Sequence, residues 1–213
     1  MKAGSHATIG VASSGRIIVI GSSTGGVDAL LEVLSDFPSD CPPIVVVQHT
    51  GFGYGEGLVQ LFQRNLPMQV ELACDGLPVQ PGRVVVVAGM RAHARVDPGH
   101  RPRISLCDSE PVNGHRPSVD VLFDSVVPVA PLVSAALLTG MGRDGAAGLL
   151  RLKQAGAFTV AQDRETSTVY GMPRAAVELG AACLELPLSE IAAALMRGHP
   201  RARGLHGMVC HEA

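Results

Sequence analysis

Hydrophobic positions along this chain fall into two patterns that alternate. Short apolar runs occur at 17–20, 44–48, 69–73, 83–88, 134–138 and 158–161. Between and beyond them, apolar residues take helical spacing at 27–35, 54–65, 118–127, 145–155, 173–179 and 188–196. The first set predicts strands and the second predicts helices. Runs 17–20, 44–48, 134–138 and 158–161 hold almost no polar residue, as expected for strands covered by helices on both faces. The alternation predicts an α/β fold, a doubly wound and mostly parallel sheet with helices on both faces. From 83 to 106 the runs shorten around Pro98-Gly99 and Pro102, which predicts a short antiparallel excursion at one edge.

Composition narrows the class. A chain of 213 residues can bury one substantial core, and 46% hydrophobic with 17% charged residues excludes a disordered chain. With 3% aromatics and no Trp, that core must be aliphatic. A formal charge of −2 offers no basic stripe for nucleic acid, so no nucleic-acid partner is expected. No apolar stretch approaches the roughly 20 residues of a membrane span, and the first 16 residues have no signal-peptide core. Membrane insertion is therefore not expected. The five cysteines are odd in number and scattered, which fits a reducing cytoplasm better than a disulfide framework. Residues 1–16 and 199–213 read as flexible ends around one domain at 17–198. The tail carries His199, His206, Cys210 and His211, but nothing else organises them, and neither metal nor cofactor is expected.

Chemistry concentrates at Gly21-Ser22-Ser23-Thr24-Gly25-Gly26, directly between the first strand and the first helix. Such a turn can hold a phosphate on its amides or raise a serine to attack a carbonyl. A dinucleotide turn needs glycine where Ser23 stands, and a nucleotide-hydrolase loop needs a lysine, of which there is none between Lys2 and Lys153. Gly21-Ser22-Ser23-Thr24-Gly25 matches the Gly-x-Ser-x-Gly nucleophile elbow, with a strained backbone expected at Ser23 and Ser22 at the variable position.

A hydroxyl needs a base, and the base needs an orienting carboxylate. The second strand ends in Gln48-His49. The fifth ends in Thr139-Gly140-Met141-Gly142-Arg143-Asp144-Gly145 and opens a helix. Open α/β sheets place their sites at such carboxyl ends. Ser23, His49 and Asp144 are thus the candidate catalytic residues, although Asp144 also suits a helix cap. The glycines around Met141 allow backbone amides to turn inward, as an oxyanion hole requires. His93 and His100 read as exposed. Ser118 reads as a helix N-cap, Arg116 as a surface or substrate-facing residue, and Pro173 as a first-turn proline.

With these residues in hand, the sequence resembles the catalytic domain of the chemotaxis protein-glutamate methylesterase family, CheB. The matching stretches begin with 20–26, Gln48-His49 and Asn113-Gly114-His115-Arg116-Pro117-Ser118-Val119-Asp120-Val121-Leu122-Phe123. They continue through 138–146, 154–157 and Gly171-Met172-Pro173-Arg174-Ala175. The resemblance implies a cytoplasmic serine hydrolase that demethylates glutamate γ-methyl esters on the cytoplasmic region of methyl-accepting chemoreceptors, and that can deamidate receptor glutamines. It implies Ser23 as nucleophile, His49 as base and Asp144 as orienting carboxylate. It also implies Met141 as oxyanion donor through its amide, with Gly140 and Thr24 beside the substrate. Two segments depart from the family pattern. Thr50-Gly51-Phe52-Gly53-Tyr54-Gly55 follows the histidine, and Ala88-Gly89-Met90 precedes His93. Family members commonly carry a phosphorylatable receiver domain, and no segment here matches one, so a stand-alone esterase or an excised domain is expected. The rival readings are an esterase of the same architecture for another acyl ester, and a non-catalytic signalling or binding module.

Overall fold

Every long apolar run becomes a strand in the computed structural model, which describes residues 15–198. In chain order the elements are β1 (Ile17–Ser22), α1 (Gly26–Ser35), β2 (Ile44–Gln48), α2 (Gly55–Asn65), β3 (Gln69–Leu72) and β4 (Arg83–Val87). There follow β5 (His93–Asp97), β6 (Arg103–Cys107), α3 (Val119–Ser125), a 3-10 segment (Val127–Leu132) and β7 (Val133–Leu137). Last come α4 (Ala146–Gln154), β8 (Phe158–Gln162), α5 (Met172–Glu178), β9 (Leu184–Leu186) and α6 (Leu188–Arg197). Seven strands form one sheet in the order β3-β4-β2-β1-β7-β8-β9, and all neighbours run parallel.

The unbroken apolar character of the central strands has a direct cause. Side chains alternate across a strand, so Ile18 and Ile20 meet Leu30, Leu34, Phe62, Ile191 and Leu195 on one face. Val19 meets Leu122, Phe123, Leu149 and Met172 on the other. Both faces are dry, and each fully buried Leu or Phe contributes about 1.5–3 kcal/mol relative to exposure. The antiparallel pair expected from the broken runs forms as β5-β6, a sheet of its own. It is tied to α3 by the Val96 N–H, which donates to Ser125 Oγ at 2.9 Å. The short strand β9 has no counterpart among the expected elements. At three residues, two of them exposed, it carries too little apolar pattern to be seen in sequence.

Neighbouring strands place the site. β1 pairs with β2 on one side and β7 on the other, so the chain's progress across the sheet reverses at β1. The carboxyl ends of these three strands surround the crevice where doubly wound folds bind ligands. Among the described residues no helix is long and apolar enough to cross a membrane. The expected flexible ends at 1–14 and 199–213, with the tail histidines and Cys210, lie outside the described residues. Arg16, assigned to the flexible N-terminus, is instead anchored. Its guanidinium donates to Met196 O at 2.7 Å, to Leu195 O at 2.9 Å and to Ser134 Oγ at 3.2 Å.

Candidate active site

β1 ends in a fully buried Ser22, and the chain turns through Ser23 and Thr24 before α1 begins at Gly26. The Ser23 N–H donates to Thr139 O at 3.0 Å, and the Gly26 N–H donates back to Ser23 O at 2.8 Å. Of the described non-glycine residues only Asn113 has a positive φ, so the strained backbone expected at Ser23 is absent. The turn has the sequence of a nucleophile elbow without its strain. Gly21 is needed for another reason: a Cβ there would lie 2.2 Å from Val119 Cγ1, so α3 packs directly on the turn. Nor is Ser22 a bystander. Its hydroxyl donates to Gln48 Oε1 at 2.7 Å, and Gln48 Nε2 donates to Ser23 O at 2.9 Å and His49 O at 2.8 Å. One buried amide side chain thus ties the serine turn to the histidine turn.

His49 leaves the end of β2 with its side chain only 8% exposed. Its Nε2 lies 2.9 Å from Asp144 Oδ2. Asp144 is fully buried, and burial alone would push its carboxyl up. Hydrogen bonds from His49, the Val119 N–H, Ser118 Oγ and Asn113 outweigh this and hold its pKa down at about 2. An ionised carboxylate only accepts, so the His49 proton resides on Nε2 in the neutral ring. The lone pair is then on Nδ1. That atom is the only buried side-chain nitrogen or oxygen among the described residues without a hydrogen-bond partner.

Asp144 does cap a helix, but not the one it precedes. α4 has no side-chain cap. Instead Asp144 accepts from Ser118 Oγ and the Val119 N–H at 2.7 Å each, and from the Asp120 N–H at 3.3 Å, all at the start of α3. Ser118 occupies the N-cap position yet spends its hydroxyl on Asp144. Asp120 returns the arrangement by accepting the Gly148 N–H in the first turn of α4 at 2.6 Å. Each carboxylate satisfies free amides of the other's helix. Asn113 Nδ2 bridges them, 2.7 Å from Asp120 Oδ2 and 3.2 Å from Asp144 Oδ1. Burial pushes the Asp120 carboxyl up, and the charge on Asp144 adds to it, while the Gly148 amide and Asn113 oppose both.

Asn113 reaches this position from a tight turn. Val112 and His115 exchange backbone hydrogen bonds at 3.1 and 2.9 Å, and Asn113 and Gly114 have φ of 52° and 79°. Two successive positive φ values are those of a type I′ turn, for which Asn-Gly is the favoured pair. The same turn lays His115 flat on His49, with ring centroids 3.9 Å apart and planes within 3°.

On the far side of Ser23, Gly140 accepts the Met172 N–H at 2.8 Å. A Cβ on Gly140 would stand 2.7 Å from Ser23 Cβ and 2.3 Å from Met172 Sδ, so only glycine permits this approach. Met141 follows with 69% of its surface exposed, and its N–H donates to no other described residue. Thr24 is exposed beside Ser23. A cleft of about 560 Å³ is lined by Asn113, His115, Gly142, Arg143 and Arg174, and by none of Ser23, His49 and Asp144. A groove of about 490 Å³ at the opposite ends of the strands holds none of the candidate residues.

A model of the CheB methylesterase family matches residues 18–195. The chain belongs to that family. It is 46% identical over 183 residues to the protein-glutamate methylesterase/protein-glutamine glutaminase of Agrobacterium fabrum, covering 85% of this chain and 52% of that protein. The enzyme of that name numbered 1 in Hahella chejuensis is 47% identical over 194 residues, 91% of this chain and 54% of that protein. The chain therefore spans about half the length of the curated relatives it matches. The crystal structure of the Thermotoga maritima CheB methylesterase catalytic domain superposes with a TM-score of 0.83 at 36% identity, covering 86% of this chain and 98% of that one.

Within this CheB fold, His49 and Asp144 are in contact, and Ser23 lies against Gly140, on the loop that leads through Met141 to Asp144. Sequence reasoning missed four residues that build the surroundings: Gln48, Asn113, His115 and the side-chain role of Ser118. The Asn113-Gly114 pair was a readable turn signal, whereas Gln48 at the end of an apolar run carried none. His93 was expected to be exposed and is fully buried. Its Nδ1 accepts the Ser118 N–H at 3.1 Å, and its Nε2 lies 3.1 Å from Glu110 O. Arg116 faces Asp108 at 2.7 Å and Ser109 O at 3.0 Å. His100 is exposed, as expected.

Proposed function

We propose that this chain is the catalytic domain of a cytoplasmic serine hydrolase acting on glutamyl γ-methyl esters of the chemoreceptor cytoplasmic region. Ser23 is the nucleophile, His49 the base and Asp144 the orienting carboxylate. The observation that carries this reading is the buried, unpartnered Nδ1 of His49, whose other nitrogen is committed to an ionised Asp144. In this mechanism Nδ1 takes the Ser23 proton as Oγ bonds to the γ-carbonyl carbon. The carbonyl oxygen becomes an oxyanion, held by the free Met141 N–H, with Gly140 and Thr24 bordering it. The C–O bond to methoxide breaks, His49 returns the proton, and methanol leaves. Water, deprotonated by His49, attacks the acyl-enzyme. Ser23 is restored and glutamate is released. A glutamine γ-amide follows the same course and loses ammonia.

The test is methanol release from a methylated chemoreceptor cytoplasmic fragment by the wild type and by Ser23→Ala. Ser23→Ala should lower turnover by roughly 10³-fold or more with an unchanged melting temperature. Methanol release by Ser23→Ala at the wild-type rate would overturn the assignment. A second reading, hydrolysis of a different acyl ester by the same residues, draws on Phe52 and Tyr54, which follow His49 and are 66% and 70% exposed. Comparing the receptor fragment with small esters separates the two.

A further inference from the structure

The Asn-Gly turn sends two side chains toward the candidate triad. Asn113 holds the carboxylate, while His115 touches neither Asp144 nor Ser23 by any hydrogen bond and instead lies flat on the imidazole of His49. The reciprocal Val112–His115 bonds hold its backbone, and its ring borders the cleft. Aromatic rings prefer offset-stacked or edge-to-face contacts to a perfect face-to-face sandwich, and this pair is stacked with near-parallel planes. A neutral π face does, however, attract a cation placed over it. The stacked contact therefore gains strength when one ring of the pair becomes charged.

We propose that His115 is a positioning residue acting through His49. Its ring fixes the plane in which Nε2 meets Asp144 and Nδ1 is offered to Ser23, and its face stabilises the imidazolium formed as Ser23 loses its proton. The inference rests on Ser23, His49 and Asp144 being nucleophile, base and orienting carboxylate. The groups facing His115 are His49 and Asp144, with Arg143, Arg174 and Glu178 lining the same cleft. Burial and the neighbouring His49 both lower the His115 pKa, and Asp144 opposes them. Two stacked cations at 3.9 Å repel each other, so His115 stays neutral while His49 carries the proton. Because the contact strengthens only when His49 is charged, it acts on kcat and leaves KM largely alone.

Steady-state methanol release from the methylated receptor fragment, measured for wild type, His115→Phe, His115→Leu and Ser23→Ala, tests this. His115→Leu should lower kcat roughly 5- to 30-fold with KM within about two-fold. His115→Phe keeps the π face and should recover most of that loss. Labelling of Ser23 by a fluorophosphonate should follow the same order and does not depend on the identity of the ester. Wild-type kcat in His115→Leu overturns the inference. So do equal losses in the Leu and Phe variants, because both fill the site and a purely structural defect lowers them alike. Wild-type methanol release by Ser23→Ala is a separate outcome, which overturns the triad reading and this inference with it.

Discussion

His49 and His93 sit at opposite ends of one hydrogen-bonded cluster around the start of α3, and they are finished differently. His93 is fully buried, with Nδ1 accepting from the Ser118 N–H and Nε2 against Glu110 O. His49 is almost as deeply placed, yet only Nε2 is engaged. Buried polar atoms are ordinarily satisfied, because leaving one unpaired costs about 1–3 kcal/mol. A histidine that fastens two segments uses both nitrogens. One that transfers a proton must keep a lone pair free, and His49 keeps it on the side away from Asp144. On the proposed mechanism, the difference separates a structural ring from the one that transfers a proton.

Substituting each ring in turn should separate the two roles. His49→Gln should lower kcat by about 10³–10⁴-fold while the melting temperature moves by no more than about 2–3 °C. Methanol-release kinetics with a thermal melt would check it, and a variant with wild-type kcat but a clearly lowered melting temperature would reverse the roles assigned to the two histidines.

The next effect concerns the carboxylate that holds His49. Asp144 titrates near 2 in the folded protein against 3.8 for a free side chain, so its folded pKa is depressed. Its stabilisation is present above about pH 4 and disappears as pH falls toward 2, amounting to about 2 kcal/mol. Asp120 is shifted the other way and offsets part of this, since its protonated form is the one folding favours. Urea denaturation between pH 5 and pH 2 should therefore show wild type losing stability that Asp144→Asn lacks from the outset. Parallel curves for the two proteins would contradict the buried-carboxylate account.

The smallest effect belongs to His93. His93→Gln should leave kcat within about two-fold of wild type and cost about 1–2 kcal/mol of stability, through the Ser118 amide and Glu110 carbonyl left without a partner. Urea midpoints and kinetics on the folded fraction would show it. A kcat loss as large as that of His49→Gln would place His93 in the chemistry as well.

Much of the fold and of the site is legible in the amino-acid sequence. The central strands declare themselves because both faces are buried, so 17–20 and 44–47 lack polar residues. The turns that follow the strands draw attention to Ser23, to His49 and to the glycine-marked Gly140–Asp144 loop. What stays hidden depends on contacts between segments distant in sequence. His93 lies 25 residues from the Ser118 amide that buries it, and nothing local distinguishes it from exposed His100. Asp144 caps α3 rather than its own α4 because the two helix starts face each other, which no spacing encodes. The strain expected at Ser23 comes from a motif shared with other hydrolases. Here the serine amide is instead held by Thr139 O on the neighbouring strand end.

On the proposed mechanism Ser23, and not the adjacent Ser22, is the nucleophile prepared by His49. Treating the protein with a fluorophosphonate and sequencing the 17–64 tryptic fragment by tandem mass spectrometry tests it most directly. A single adduct on Ser23 is expected, absent when His49 is changed to Gln. An adduct on Ser22, or Ser23 labelling that proceeds unchanged in His49→Gln, would contradict it.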